Sequence, residues 1–211
     1  MRSLENKRDE LRARITTHRE VRECCALIFT ETWLSDKVSD CAFQLQTHSV
    51  HRADRTAASG KVKGGGVCVF INNSWCGDVR TVHKHCSPDV EFLLLRCRPY
   101  YLPREFTAVF LAAIYIPPRA NSTAALSELY DVISAHETDA AFIAAGDFNH
   151  CNLKTIPQIF PIPIFQFPPV IRTHWIMFTA AYVVPTGPHP APTSGTQTTS
   201  LCSCILHTDK G

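Results

Sequence analysis

Apolar positions recur with two different periods along the first 150 residues, and the recurrence breaks down after them. Over residues 3–21, Leu4, Leu11 and Ile15 fall on one face of an otherwise charged segment, which predicts an amphipathic helix with Ser3 placed to cap it. Residues 24–29 form a short apolar strand. Gly64-Gly65-Gly66 leads into a strand over 67–71 that Asn72-Asn73 ends, and two more strands follow at 90–96 and 107–116, the second closed by Pro117-Pro118. Residues 122–136 read as a helix with Leu126, Leu129, Tyr130 and Ile133 turned inward. A buried strand at 140–145 then runs into Gly146-Asp147-Phe148-Asn149. Strands made of continuous apolar runs, mixed with helices, predict an α/β protein whose sheets are covered by helices.

Residues 155–211 follow neither period. They hold nine of the 14 prolines, five of them within 156–171, where a missing N–H interrupts any ladder or helix. Of the 21 Lys+Arg and 19 Asp+Glu, residues 151–211 carry four, namely Lys154, Arg172, Asp209 and Lys210. The stretch is nevertheless too rich in Ile and Phe for a solvated linker. The chain therefore divides into an ordered domain over 1–154 and a proline-rich tail over 155–211, expected to be irregular and without regular sheet pairing.

Charge and cysteine content narrow the class. A net charge of +2 gives no bulk reason to infer a nucleic-acid partner. The longest apolar run, 108–116, is half of what a membrane span needs. Residues 1–8 are charged where a secretory signal would be apolar, so the chain is expected to be intracellular. Cys24, Cys25, Cys41, Cys68 and Cys97, among the ten cysteines, lie in or beside apolar runs and read as reduced, small hydrophobic residues.

Polar groups follow apolar strands at three places, where open α/β sheets usually place their sites. These are Thr30-Glu31-Thr32-Trp33-Leu34, Tyr115 before Pro117-Pro118, and Gly146-Asp147-Phe148-Asn149. Strand alternation puts Asp147 and Asn149 on one face and Phe148 on the other. A carboxylate beside an amide can position a water or a phosphate, although each of these motifs taken singly is also ordinary turn chemistry.

As a set, in this order and spacing, they resemble the endonuclease/exonuclease/phosphatase family. Within it, residues 2–154 are most similar to the endonuclease domain of vertebrate non-LTR (LINE-type) retrotransposons, the Gly64-Gly65-Gly66-Val67 strand entry and residues 99–106 included. The resemblance implies a DNase I-like four-layer sandwich, two packed mixed sheets flanked by helices, here incomplete. It also implies Mg2+-dependent hydrolysis of a DNA phosphodiester, nicking one strand. By the same resemblance Glu31 is the metal-binding glutamate and Asp147 aligns or deprotonates the attacking water. Asn149 contacts that aspartate's surroundings and the phosphate, and the Tyr115 hydroxyl lies against the scissile phosphate. Mg2+ suits such a set because one or two carboxylates plus phosphate and waters complete its shell. The implied partner is the DNA phosphate backbone, in the nucleus if the protein is active, with no membrane and no obligate protein partner.

The chain departs from that family twice. The family's first strand and its asparagine would precede Arg2-Ser3-Leu4. Its Thr-Leu-Asp segment and Ser-Asp-His motif do not occur in residues 151–211. The genetic code suggests why. Reading His174-Trp175-Ile176-Met177-Phe178-Thr179 from the third base of each codon forces Leu-Asp-x-Val-(Tyr or His), because Trp and Met have single codons. The same shift at Thr196-Gln197-Thr198-Thr199 permits Ser-Asp-His. A frame change between Thr155 and Arg172 accounts for both. Function is then expected to be impaired endonuclease activity, with two alternatives: an inactive fragment with weak DNA binding, or action on another phosphoester such as abasic DNA or a phosphoinositide.

Other clusters have plainer readings. Gly64-Gly65-Gly66 with Lys61 and Lys63 lacks the Gly-Lys-Ser/Thr ending of a P-loop and reads as a turn into a strand. His83-Lys84-His85-Cys86, and Cys202-Ser203-Cys204 with His207, lack zinc-site spacing. Arg52, Arg55, Lys61 and Lys63 are expected in a polar, mobile loop that either touches the DNA backbone or is simply solvated.

Overall fold

The computed structural model describes residues 4–102, 104, 106–136, 140–149 and 151, together with the strand backbones of 164–165 and 181–185. The first helical segment is broken rather than continuous: a turn at Glu5–Lys7, α1 (Arg8–Thr17) and α2 (Arg19–Glu23) meet at an extended His18. The Thr16 and Thr17 hydroxyls donate back to the carbonyls of Arg12 and Ala13, satisfying the last turn before the break. A straight helix would carry Val21 about 120° around the axis from Ile15. The break instead lets Leu4, Leu11, Ile15 and Val21 bury together. The expected Ser3 cap lies outside the described residues.

Three strands, β1 (Ala26–Thr30), β2 (His48–Ala53) and β3 (Val67–Asn72), form an antiparallel sheet in the order β1-β3-β2. The second sheet contains β4 (Cys76–Cys86), β5 (Glu91–Pro99), β6 (Val109–Tyr115) and β7 (Ala141–Asp147). Helix α3 (Ser122–Ser134) connects β6 to β7 as parallel neighbours, and the other pairs are antiparallel. The layers are thus helix, sheet, sheet, helix. One core lies between the sheets, from Ala26 and Ile28 through Val69, Leu93, Leu111 and Ile143. A second packs α1 and α2 on the outer face of the three-stranded sheet, and a third packs α3 on the outer face of the other. This is the four-layer α/β arrangement expected from the sequence.

Several details differ. Strands β2 and β4 carry too many polar residues to be seen as apolar runs, because β2 is half-buried and β4 is an exposed edge. Register shifts between Cys76 and Asp78 and between Thr81 and His83 blunt that edge. Tyr130, expected to face inward, is 40% exposed, since the buried stripe of α3 runs through Ala125, Leu126 and Leu129. The helix is capped by Asn121, whose side chain accepts from the Thr123 and Ala124 amides. Cys24, Cys25, Cys68 and Cys97 are buried and free, whereas Cys41 is exposed on a short turn (Asp40–Phe43).

The tail departs from expectation too. Ala181–Pro185 forms β9, which pairs antiparallel with β7 from Ala141↔Pro185 to Ala144↔Tyr182, and a two-residue strand β8 (Ile164–Phe165) pairs with β9. Ala181-Tyr182-Val183-Val184 is proline-free and rich in β-forming residues, and Pro185 sits at the strand's end, where a missing N–H is tolerated. The rest of 152–211 lies outside the described residues. No helix among them is long and apolar enough to cross a membrane.

Candidate functional site

Strands β5, β6 and β7 end in a polar row. Glu91 lies opposite Tyr115 on β6, and Tyr115 lies opposite Asp147 on β7, so the three share the face that looks toward the other sheet. They cap the inter-sheet core at one rim. Gly146 permits this close arrangement: its φ is +151°, and a Cβ there would stand 1.9 Å from the Ile114 carbonyl oxygen.

The opposing sheet supplies Glu31. Its strand's last ladder pair is Thr30↔Val67, after which the chain turns through Glu31 with φ +52°. That conformation turns the carboxylate toward the row, where the Tyr115 hydroxyl donates to Oε1 of Glu31 at 2.6 Å. Burial first, and then the hydrogen bond to Glu31, push the Tyr115 phenol well above its ordinary pKa. The phenol therefore remains a protonated donor throughout the neutral range.

Asn149 fixes the end of β7. Its amide donates to Oδ1 of Asp147 at 3.0 Å, and its side-chain Nδ2 donates to the Ile116 carbonyl at 2.8 Å. Phe148 points the other way, into the core beneath α3. The structure thus brings Glu31, Tyr115, Asp147 and Asn149 to one rim. Glu31, Trp33 and Asn149 are the non-glycine residues with positive φ among the described residues, and all three belong to the two loops of this rim. Such strain persists only where surrounding contacts over-determine it, and it concentrates at functional sites.

Sequence reasoning missed two residues here. Arg55 is not in a mobile, solvated loop: its Nε donates to Oε1 of Glu91 at 2.5 Å, and both side chains are at least nine-tenths buried. Arg52 is likewise spent, ion-paired with Asp40 and Asp54 and donating to the Ser35 carbonyl. The clues were a glutamate opening an otherwise apolar strand and three glycines in succession. Lys61 and Lys63 are exposed, as the loop reading allowed. His85 pairs with Glu128 at 2.7 Å and stacks on Phe92 with His83, which gives that histidine cluster a structural role. The cysteines at 202 and 204 lie outside the described residues.

The donor set at the rim is all oxygen: the Glu31 carboxylate, bonded to the Tyr115 hydroxyl, and the Asp147 carboxylate on the strand beside Tyr115. It fits a hard divalent cation that keeps most of its waters. It does not make an all-protein cage, as no group of three or more His, Cys, Asp or Glu suited to a metal occurs among the described residues.

No family model matches the chain, and no curated protein matches it. Solved structures do. A humanized D. rerio TDP2 carrying 14 mutations superposes with a TM-score of 0.55 at 13% identity, over 88% of this chain and 79% of that one. ANGEL2, a 2',3'-cyclic phosphatase, gives 0.49 at 16% identity over 70% of this chain and 45% of its own. An endonuclease/exonuclease/phosphatase family protein from Bacteroides thetaiotaomicron gives 0.46 at 12% identity, over 85% of this chain and 74% of that one. The first of these shows that the chain shares the two-sheet α/β fold of TDP2.

Proposed function

We propose that the chain carries the active-site rim of a Mg2+-dependent phosphodiesterase that nicks DNA, of retrotransposon origin and impaired in this sequence. The observation that carries the reading is the Glu31–Tyr115 hydrogen bond, which joins a carboxylate of one sheet to the polar row of the other. Glu31, with Asp147 nearby, would hold the cation, which when bound supplies positive charge against the phosphoryl oxygens. Tyr115, kept protonated, orients Glu31 through its single O–H. Asp147, its Oδ1 fixed by the Asn149 amide, orients the attacking water and takes its proton. Asn149 is itself held by the Ile116 carbonyl, so the pair is preorganised rather than assembled on binding. The DNA backbone is the partner this chemistry addresses, and the nucleus is where it would act.

A second reading is an inactive fragment with residual DNA binding. It is favoured by the absence of Ser-Asp-His from residues 151–211, since an aspartate and a histidine would complete the charge-stabilising set. Plasmid nicking by purified protein separates the two. Mg2+-dependent conversion of supercoiled to open-circular plasmid, lost with EDTA and with Asp147→Ala, supports the first reading. Plasmid retention on a gel without any conversion supports the second.

A further inference from the structure

The loops that flank the rim are tied together by a buried ion pair that spans the gap between the sheets. Glu91 opens β5 of the six-stranded sheet and is 1% exposed. Its Oε1 receives Arg55 Nε, and its Oε2 receives the Gly66 amide at 2.6 Å. Both donors belong to the three-stranded sheet's side: Arg55 follows β2, and Gly66 precedes β3. Arg55 also donates from Nη1 to the Lys63 carbonyl at 2.8 Å. Residues 64–66 all have positive φ and wrap over the guanidinium. A Cβ on Gly65 would stand only 2.2 Å from Arg55 Nε, so the loop closes over the arginine as tightly as a glycine allows. The loop in turn grips the segment after β1. Thr32 donates its amide to the Gly66 carbonyl at 3.3 Å, and Trp33 donates to the Gly65 carbonyl at 2.9 Å. Those two amides belong to the residues that directly follow Glu31, whose left-handed backbone aims its carboxylate at Tyr115.

We propose that Arg55 and Glu91 are positioning residues for Glu31: the pair locks the 64–66 loop across the two sheets, and the loop fixes the backbone that presents Glu31 to a divalent cation. This rests on the reading of Glu31 as the cation-binding carboxylate. A charge pair is costly to bury and contributes little net stability unless its hydrogen bonds are complete. Beyond the contact between the two side chains, the pair's bonds go to the 63–66 segment, Arg55 to the Lys63 carbonyl and Glu91 from the Gly66 amide, and that segment holds the residues that follow Glu31, which is what a positioning role requires. An arginine fork serves two acceptors in fixed directions; a lysine ammonium reproduces the charge without that geometry.

The test measures Mn2+ binding to the full chain by electron paramagnetic resonance, with amide exchange at Thr32, Trp33 and Gly66 followed by NMR. Wild type is expected to bind one Mn2+ that Glu31→Gln removes. Arg55→Lys and Glu91→Gln are expected to weaken binding about tenfold and to speed exchange at those three amides, while amides in β5 and β6 keep their protection. A double variant, Arg55→Met with Glu91→Leu, removes the pair without leaving a lone buried charge and is expected to fold. It should lose the loop protection and the Mn2+ affinity together. Wild-type Mn2+ affinity in the folded double variant would overturn the positioning role. Mn2+ binding that Glu31→Gln leaves unchanged would instead overturn the assignment of Glu31, and the positioning role with it.

Discussion

The Tyr115 hydroxyl donates to the Glu31 carboxylate at 2.6 Å across 84 positions of sequence and from one sheet to the other. That one bond reports the relative placement of the sheets at the rim, because Tyr115 is fixed by its neighbours Glu91 and Asp147 while Glu31 leaves a strand of the opposing sheet. A short O–H···O distance of this kind is what a phenol donating to a carboxylate oxygen gives.

Tyr115→Phe deletes the donor and keeps the ring, so the core beneath it should stay intact. Mg2+-dependent nicking is expected to fall roughly 10- to 100-fold, as Glu31 loses its orienting partner. Plasmid nicking at fixed Mg2+, with urea unfolding alongside, checks this. An unchanged rate would mean that the bond is incidental to the chemistry.

Gly146 is the position where the site depends most on the absence of a side chain. Gly146→Ala is expected to destabilise the fold by at least about 3 kcal/mol, because a Cβ at φ +151° would overlap the Ile114 carbonyl oxygen and force β7 away from β6. Urea unfolding of the variant tests the magnitude. A loss below about 1 kcal/mol would show that the strand pair has slack the geometry conceals.

Much of this was legible in the sequence, and the remainder has identifiable physical causes. Strands β1, β3, β5, β6 and β7 announce themselves as apolar runs because both faces of their sheets are covered. Strands β2 and β4 do not, because His51, Arg52, Arg80 and Lys84 belong to half-buried or exposed faces where polar residues are normal. Glu31, Tyr115, Asp147 and Asn149 were visible as polar residues at strand ends. Arg55 and Glu91 were not, since their significance lies in a contact across 36 positions that no local period encodes. Tyr130 was misplaced because it neighbours the apolar stripe of α3 rather than lying on it.

Stability should respond to acid through His48, which is 2% exposed and whose Nε2 has no hydrogen-bond partner. Burial lowers its pKa from 6.5 to about 4. The native state thus binds fewer protons than the unfolded chain between those values, so stability is fully present above pH 6.5 and declines as pH falls toward 4. The decline attributable to His48 is about 2–3 kcal/mol. Urea unfolding from pH 7 to pH 4 should show it, and His48→Leu should flatten that part of the curve. A variant whose stability falls as steeply as wild type would place the acid sensitivity elsewhere, His51 being the next candidate because burial lowers it too.

Shifting the tail to the alternative frame is expected to raise activity more than Tyr115→Phe lowers it. The sequence of 151–211 has Asp209 as its one acidic residue, with no Ser-Asp-His, whereas the shifted reading yields Leu-Asp-x-Val at 174–179 and permits Ser-Asp-His at 196–199. A histidine there would donate to the charge growing on the phosphoryl oxygens, and an aspartate would hold it in the correct tautomer. Removing one preorganised donor of this kind typically costs about 10²–10³ in rate, and groups acting as a unit do not multiply, so a gain of about that size is expected when the set is completed. The experiment compares plasmid nicking by the chain as it stands with a version carrying the shifted tail, at equal Mg2+ and with Asp147→Ala in each background. Ala181–Pro185 pairs with β7 in the present sequence, and the shifted tail replaces those residues. The shifted tail must therefore improve the rate without loosening β7, as read by amide protection at Ala141 and Ile143. Equal rates for the two versions, both abolished by Asp147→Ala, would show that Glu31, Tyr115, Asp147 and Asn149 suffice and that the tail contributes nothing to the chemistry.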